Sequence, residues 1–503
     1  MTRCVRTQVV VVGGGPVGLV VAAELAGYGV RTLLVEEATD VCRRPKATTL
    51  HARTVQCLVR RGHLGGLAAA GKHAGSAPVS TPFHFAGIPG LAISVPPTEP
   101  EPVLKCAQED LERAFERRAR AVGVRILRGH RVTGVHQEPG GVRVTVEGPR
   151  TRLTCAADYL VGADGARSTV REQAGFASRT HPATVAAMAG DVRLAEADGL
   201  GVGWRRTPRG WIVAKTVPGG RMRLRTVNCA GTHRERHLPL TLDELRHEVS
   251  WIAGREIAMD APRWLSRFSD FSRLARSYRS GRVLLAGDAA HVHFPIGGQG
   301  LSTGLLDAVN LGWKLALTVR GVAGGGLLDS YDEERRPAAQ RVIDNTRAQV
   351  ALMRPGPELD PLRALFGELL AQRGESSVLS SMISAQDTVL PARTARPSPW
   401  EGRFLPNIGL TTPEGRTDVI ELLREGRPLL LLCGDREGRG YEEEARGWAG
   451  LLRVVHAGPT PGIPCEALLV RPDGYLAWAP GGGSLPDALT AYFGEAVAAT
   501  ASA

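Results

Sequence analysis

The stretch Val9-Val10-Val11-Val12-Gly13-Gly14-Gly15-Pro16-Val17-Gly18 constrains this chain more than any other, because it reads as a buried parallel strand entering a tight glycine turn and then a helix. That pattern cradles a dinucleotide. Gly13 permits the sharp turn, Gly15 lets the backbone approach a pyrophosphate, and Gly18 allows close packing of helix on strand, with Pro16 and Val17 in the first helical turn. A second apolar strand follows at 30–35. Glu36 closes it at roughly the 20-residue offset of an acid that holds ribose hydroxyls.

Arg3 and Arg6 before a long apolar run imitate a secretory signal, but three consecutive glycines and Glu24 in the following helix do not belong in one. No other segment is apolar enough to span a bilayer. The eight cysteines (4, 42, 57, 106, 155, 229, 433 and 465) form no CxxC pair, so neither a zinc site nor a dithiol motif is expected, and reduced cytoplasmic thiols are. The length of 503 residues suits two or three domains. A net charge of +11 could signal nucleic acid, yet the basic residues are scattered arginines and aromatics make up only 5%, so no stacking platform emerges. Basic surface suits instead an anionic cofactor such as NADPH.

Further along, residues 42–54 form a polar, basic loop entering a helix, where Lys46 and Arg53 are candidates for cofactor phosphate or ribityl contacts. Residues 72–100 read as strand fragments of a second domain, and Gln108 opens an amphipathic helix. The chain then returns to the nucleotide domain at 159–168, with Asp164 at a turn. Between 183 and 228, alternating apolar residues and turn signals predict an antiparallel sheet that could wall a pocket. Trp204, Trp211 and Met222 are its candidate substrate contacts, with core packing the competing role for both tryptophans. A second strand, acid, glycine loop and helix follow at 281–319. Asp288 ends that strand as an acceptor for polyol hydroxyls, and Pro295-Ile296-Gly297-Gly298-Gln299-Gly300, running into Leu301, bares N–H groups at a helix start suited to a flavin ring.

Gly13-x-Gly15-x-x-Gly18 with Glu36, Gly162-Ala163-Asp164-Gly165, and Gly287-Asp288-Ala289-Ala290-His291 together resemble the three signatures of single-component FAD aromatic hydroxylases of the para-hydroxybenzoate hydroxylase type. The runs 293–300 and 307–315 resemble more closely the bacterial hydroxylases that tailor angucycline and anthracycline polyketides. The likeness spans nearly the whole chain. It implies an α/β fold: a Rossmann-like FAD-binding domain (1–72, 101–178 and 279–390), an inserted antiparallel-sheet substrate domain (73–100 and 179–278) and a thioredoxin-like C-terminal domain without CxxC (400–503), beyond a proline-rich linker at 391–399. By motif, Arg53 and Gln108 would contact FAD, Glu36 its adenosine ribose, Asp288 its ribityl or pyrophosphate portion, and Asp164 both FAD and incoming nicotinamide. Lys46 stands where relatives commonly have Arg.

The implied activity is hydroxylation of a polycyclic aromatic polyketide in antibiotic biosynthesis through a flavin C4a-hydroperoxide, with FAD as cofactor, NADPH or NADH as transient reductant and O2 as co-substrate. No side chain is singled out as catalytic, because the flavin carries the chemistry and the loop Pro295, Gly297, Gly298, Gln299 and Gly300 lies beside it. The expected partner is the small-molecule aromatic, with no metal, nucleic acid or membrane and a homodimer left open. A Baeyer–Villiger oxygenase and a non-catalytic flavin binder stand as alternatives. The pocket expectation for a fused-ring ligand rests on apolar walls, and no tyrosine occurs between 183 and 228 to activate a small phenol.

Overall fold

The computed structural model describes residues 3–44, 47–68, 77–195, 200–232, 238–372, 376–434, 438–463 and 465–496. The valine run forms the strand Val9–Val12, buried at every position because a parallel sheet covered on both faces leaves no side chain in water. Thr32–Glu36 and Tyr159–Gly162 flank it in parallel, Arg125–Arg128 and Val283–Leu285 extend the sheet on either side, and antiparallel Arg279–Ser280 ends it. The loops after Val12, Gly162 and Leu285 therefore leave one edge of the sheet together, where open α/β sheets bind ligands. The helix Pro16–Gly27 lies close against the helix Gly300–Val319. A Cβ on Gly312 would stand 2.4 Å from that of Glu24, so only glycine permits the approach.

The second unit is a five-stranded antiparallel sheet ordered Gly203–Thr207, Gly210–Val217, Arg221–Asn228, Ala186–Leu194, Met259–Ser269. Strand period two gives it unlike faces. One face, with Met188, Val192, Ile212 and Leu224, packs on Leu245 and Val249 of the helix Leu242–Ala253, which a Thr241/Glu244 capping box starts and left-handed Gly254 stops. The other face carries Ala187, Trp211 and Val227 against Phe85 and Ile93 of the hairpin Val79–Phe85/Ile88–Val95 and against Phe294 and Ile296 of the run 293–300, the ring loop below.

The C-terminal unit is a four-stranded sheet in the order Arg453–Ala457, Leu429–Cys433, Ala467–Val470, Leu476–Trp478, parallel in its first pair and antiparallel in the rest. Residues 391–399 are stitched down rather than free as a linker would be. The backbone N–H groups of Arg393 and Thr394 donate to Glu401 Oε1, and the Arg393 guanidinium donates to the Gly325 carbonyl at 2.9 Å.

Three buried ion clusters seat the C-terminal unit. Arg471 donates two bonds of 2.8 Å to Glu334 and reaches Asp473 at 2.6 Å, while Lys314 Nζ lies 2.8 Å from Glu334 and Trp313 Nε1 donates to Asp473. Arg61 joins Glu24 to the Leu423 carbonyl, and His63 takes the other Glu24 oxygen. Arg60 pairs with Glu99, which also accepts from the Asn407 N–H. Burial pushes the Glu24 carboxyl up, but Arg61 and His63 outweigh it and hold the group at about 2. Among the described residues no helix is long and apolar enough to cross a membrane, and no group of three His, Cys, Asp or Glu side chains could hold a metal ion.

Candidate active site

In the cradle turn, the three glycines of the fingerprint meet three different surroundings. Gly13 has φ +106°, and a Cβ there would sit 2.3 Å from the Ala163 carbonyl oxygen. A Cβ on Gly18 would sit 2.0 Å from the Gly13 oxygen, whereas one on Gly15 would meet nothing within 4 Å. Gly13 and Gly18 are thus required by the protein itself. Gly15 borders open space at a helix start that no side chain caps, with Pro16 in the first turn, and a diphosphate fits such uncapped N–H groups. Beside the turn, Glu36 Oε2 accepts from the Gly14 N–H and Oε1 from the Ala38 N–H at 2.7 Å, which aims its remaining lone pairs and suits ribose hydroxyls.

Val17 ties this cradle to the second motif. Cβ atoms on Gly287 and Gly304 would stand 3.0 and 2.8 Å from its Cγ2. Asp288 lies exposed in the short turn Gly287–Ala289, past the strand Val283–Leu285. From below, Asp307 braces that turn: its Oδ2 accepts from the Gly287 N–H at 3.1 Å and contacts His291 Nε2 at 2.7 Å, while Oδ1 accepts from Arg335 at 2.9 Å. Burial raises the Asp307 carboxyl, but His291 and Arg335 hold it below its ordinary range. Sequence reasoning passed over Asp307, although it opens the 307–315 run that carries the family likeness. Its signal was an acid at an otherwise apolar helical face.

The ring loop takes two left-handed steps, Gly297 at φ +71° and Gly298 at φ +65°. His51 Nε2 donates to the Gly297 carbonyl at 2.8 Å; burial pulls this histidine down to about 4, so it is neutral and its tautomer is set by that bond. Gln299 accepts from Asn345 at 2.6 Å, Asn345 from Gln349 at 3.3 Å, and Gln349 from the Ala86 N–H at 3.0 Å. A chain of amides thereby links the loop to the hairpin roof. No side chain caps Gly300 at the start of its helix, and Leu301 packs on the core behind it.

The other sequence candidates hold different contacts. Arg53 is engaged by protein groups: its buried guanidinium donates to Gln56 and the Gln386 carbonyl, each at 2.9 Å, and lies 3.6 Å over the Phe404 ring, because buried donors must find partners. Asp164 caps a helix, accepting from Ser168 Oγ at 2.5 Å and the Val170 N–H at 3.0 Å, with burial raising its carboxyl. Gln108 braces the adjoining loop through the Ala47 N–H and Glu112. Lys46 lies outside the described residues.

On the sheet, Trp211 is buried, donating from Nε1 to the Met353 carbonyl at 2.6 Å, so it is a wall of the core. Trp204 meets it edge-on at 5.9 Å, packs on His84 at 4.6 Å and is 38% exposed. Met222 is on the opposite face. Pairing of Trp211 with Val227 and of Thr216 with Met222 gives them opposite parity, and Met222 packs on the helix side.

Comparison with known proteins agrees with this geometry. Residues 6–346 match the FAD binding domain family, and residues 398–496 match the C-terminal domain of aromatic-ring hydroxylases. The chain is 38% identical over 509 aligned residues to a 12-dehydrotetracycline 5-monooxygenase/anhydrotetracycline 6-monooxygenase of Streptomyces rimosus, covering 97% of this chain and 99% of that one. It is 37% identical to dialkyldecalin synthase of Streptomyces rugosporus, over 97% and 99% of the two chains. The crystal structure of CabE, an aromatic hydroxylase from angucycline biosynthesis, superposes with a TM-score of 0.87 at 34% identity, covering 97% and 99%. An FAD cradle, a second motif braced beneath by Asp307 and an aromatic-ring hydroxylase C-terminal unit mark this chain as a member of the FAD-binding aromatic monooxygenase family.

Proposed function

We propose that this protein hydroxylates a polycyclic aromatic polyketide, using FAD, NADPH and O2, within an antibiotic-type biosynthetic sequence. The observation that carries the substrate class is the row Trp211, Phe268 and Phe294, where the sheet meets the loop 293–300: Phe268 and Phe294 lie 5.8 Å apart and tilted, and Trp204, on the far edge strand, extends the aromatic face through Trp211. Flat apolar walls suit fused rings, at about 25 cal/mol per Å² buried. When bound, FAD supplies the redox chemistry, taking hydride from the nicotinamide and activating O2. The chain's residues do the rest. Gly300 and the following N–H groups offer positive helix-end potential to a charged ring edge, about 0.3–1 kcal/mol per charge or more when partly buried. Phe294 and Ile296, nearly buried, exclude water, and His51, neutral, holds the Gly297 carbonyl in register.

In this reading NADPH is preferred over NADH, supported by the net charge of +11. The C-terminal unit is a thioredoxin-like scaffold without redox work, since Cys433 and Cys465 are free thiols raised by burial, Cys433 to about 11. The kinship with dialkyldecalin synthase supports a second reading, in which the flavin fold catalyses a reaction other than oxygenation. One experiment separates them. Holoenzyme is given NADPH, isotopically labelled O2 and an anhydrotetracycline- or angucycline-type substrate; one labelled oxygen in the product is expected. Hydroxylation of simple benzoates alone would overturn the substrate class, and a flavin that NADPH cannot bleach anaerobically, with or without the polyphenol, would favour the second reading.

A further inference from the structure

The helix Gly300–Val319, which starts at the ring loop, is apolar on most sides but carries Asp307, Asn310 and Lys314 along one buried face, at the i, i+3, i+7 spacing of side chains stacked on successive turns. At one end Asp307 holds the Gly287 N–H and His291, as described above. Further along, Asn310 donates to Glu334 at 2.7 Å and to Asp473 at 3.3 Å, Trp313 Nε1 donates to Asp473 at 3.2 Å, and Lys314 pairs with Glu334. Glu334 and Arg335 are neighbours on the helix Ser330–Met353: the first takes two bonds from Arg471, the second donates to Asp307 at 2.9 Å and to the Thr303 carbonyl at 3.3 Å. Polar contacts therefore run from the turn Arg471-Pro472-Asp473-Gly474 to the turn Gly287–Ala289, along roughly 10 Å of helix.

Turns between antiparallel strands ordinarily lie in water, where their polar groups need no partner in the protein. This one, between Ala467–Val470 and Leu476–Trp478, is buried instead: Arg471 and Asp473 are shut away, and Gly474, at φ +89°, lies so close to Phe404 that a Cβ would stand 2.8 Å from its ring. Fastening alone does not require such a reach. The Arg60–Glu99–Asn407 cluster fastens the same unit through other elements, whereas the turn at 471–474 grips the two helices from which the second motif is braced. Buried acids and bases also hold their partners within narrow limits, since any slack leaves a charge unpaired.

We propose that the turn 471–474 is a positioning element of the FAD site, with Arg471 and Asp473 fixing the two helices so that Asp307 presents the Gly287–Ala289 turn to the cofactor. Arg471, Asp473 and Glu334 are positioning residues, acting through Arg335 and Asp307 rather than by contact. The C-terminal unit thereby contributes to flavin binding: it holds the turn in place in the apoprotein, and FAD need not order it on arrival. This takes the Gly287–Ala289 turn as an FAD contact and is independent of which aromatic is hydroxylated.

The test is the FAD affinity of the full-length apoprotein, read as quenching of flavin fluorescence well below the apoprotein Tm, in a double-mutant cycle. Asp307→Asn is expected to weaken FAD about tenfold and Asp473→Asn about fivefold, and the double variant no more than about twofold beyond Asp307→Asn alone, because both act on one turn. Glu99→Gln, in the separate cluster, should lower the Tm while FAD affinity stays within about twofold of the wild type. If Asp473→Asn does not fold, Trp313→Phe, which removes one donor to Asp473 and keeps an aromatic ring, takes its place with an expected weakening of about threefold. Unchanged affinity in the variant at this end overturns the proposal, as does full additivity with Asp307→Asn or an equal loss in Glu99→Gln, each of which reduces the turn to a fastener. Unchanged affinity in Asp307→Asn overturns it at the other end, by removing the Gly287–Ala289 turn from the cofactor's contacts, and leaves the substrate reading untouched.

Discussion

The cofactor cradle and the seam under the C-terminal unit solve opposite problems. The cradle is made of backbone and vacancy: at Gly15 nothing of the protein comes within 4 Å of a missing Cβ, and the helix behind it starts without a side-chain cap. The seam is made of charged side chains that pair with one another, with Arg471, Glu334, Lys314 and Asp473 all shut away from water. A region that must accept a guest leaves its donors open, and one that must never open closes its donors on itself.

Breaking the seam gives the largest expected effect. Glu334→Ala strands Arg471 and Lys314 in the interior and should cost about 3–5 kcal/mol, seen as a large fall in the urea midpoint; a loss under about 1 kcal/mol would mean that the cluster does not hold the units together. The Glu24 cluster gives a pH signature next in size. Its carboxyl lies at about 2 folded against an ordinary 4.5, so its contribution, of the order of 3 kcal/mol, is present above pH 4.5 and fades as the pH falls towards 2. Glu24→Gln should flatten that part of the acid-unfolding curve, and an unchanged acid limb would remove Glu24 from the account.

Within the cradle, two alanine substitutions sharpen the contrast further. Gly18→Ala drives a methyl into the Gly13 carbonyl and should lower the Tm of the apoprotein, by a few kcal/mol equivalent. Gly15→Ala, at φ −74°, should leave the apoprotein Tm alone yet weaken FAD at least tenfold in a fluorescence titration. Equal Tm losses in the two variants would erase the distinction between space kept for the protein and space kept for the ligand. The smallest effect concerns Cys433→Ser with Cys465→Ser, which should leave turnover within about twofold because thiols raised away from the thiolate take no part in redox chemistry.

The same contrast governs what the sequence makes legible. Cradle glycines act on neighbours a few positions away, so the strand, turn, helix and acid could be read in order. The seam could not be read that way: Asp473, in Pro472-Asp473-Gly474, looks like a hairpin turn residue, yet it takes a bond from Trp313, 160 positions earlier. The partners of Arg53 at 386 and 404 could not be read for the same reason, since they belong to segments that no local pattern connects with it. That Met222 and Trp211 take opposite faces could not be read either, since the face depends on which residue of the neighbouring strand lies opposite. Asp307 lay within the quoted likeness, but bracing a turn from beneath is visible only once helix and loop are in contact.

The amide chain from Gln299 through Asn345 and Gln349 to Ala86 has a consequence for how this enzyme meets its surroundings. Carboxamides neither gain nor lose a proton across the range in which a cell lives, so the tie between the ring loop and the hairpin roof keeps one length and one polarity whatever the acidity outside. Acid–base events around a reacting phenol then change the ligand's charge without altering this tie, and in the acid range it is His51, holding the Gly297 carbonyl and pulled down to about 4, that titrates beside the loop.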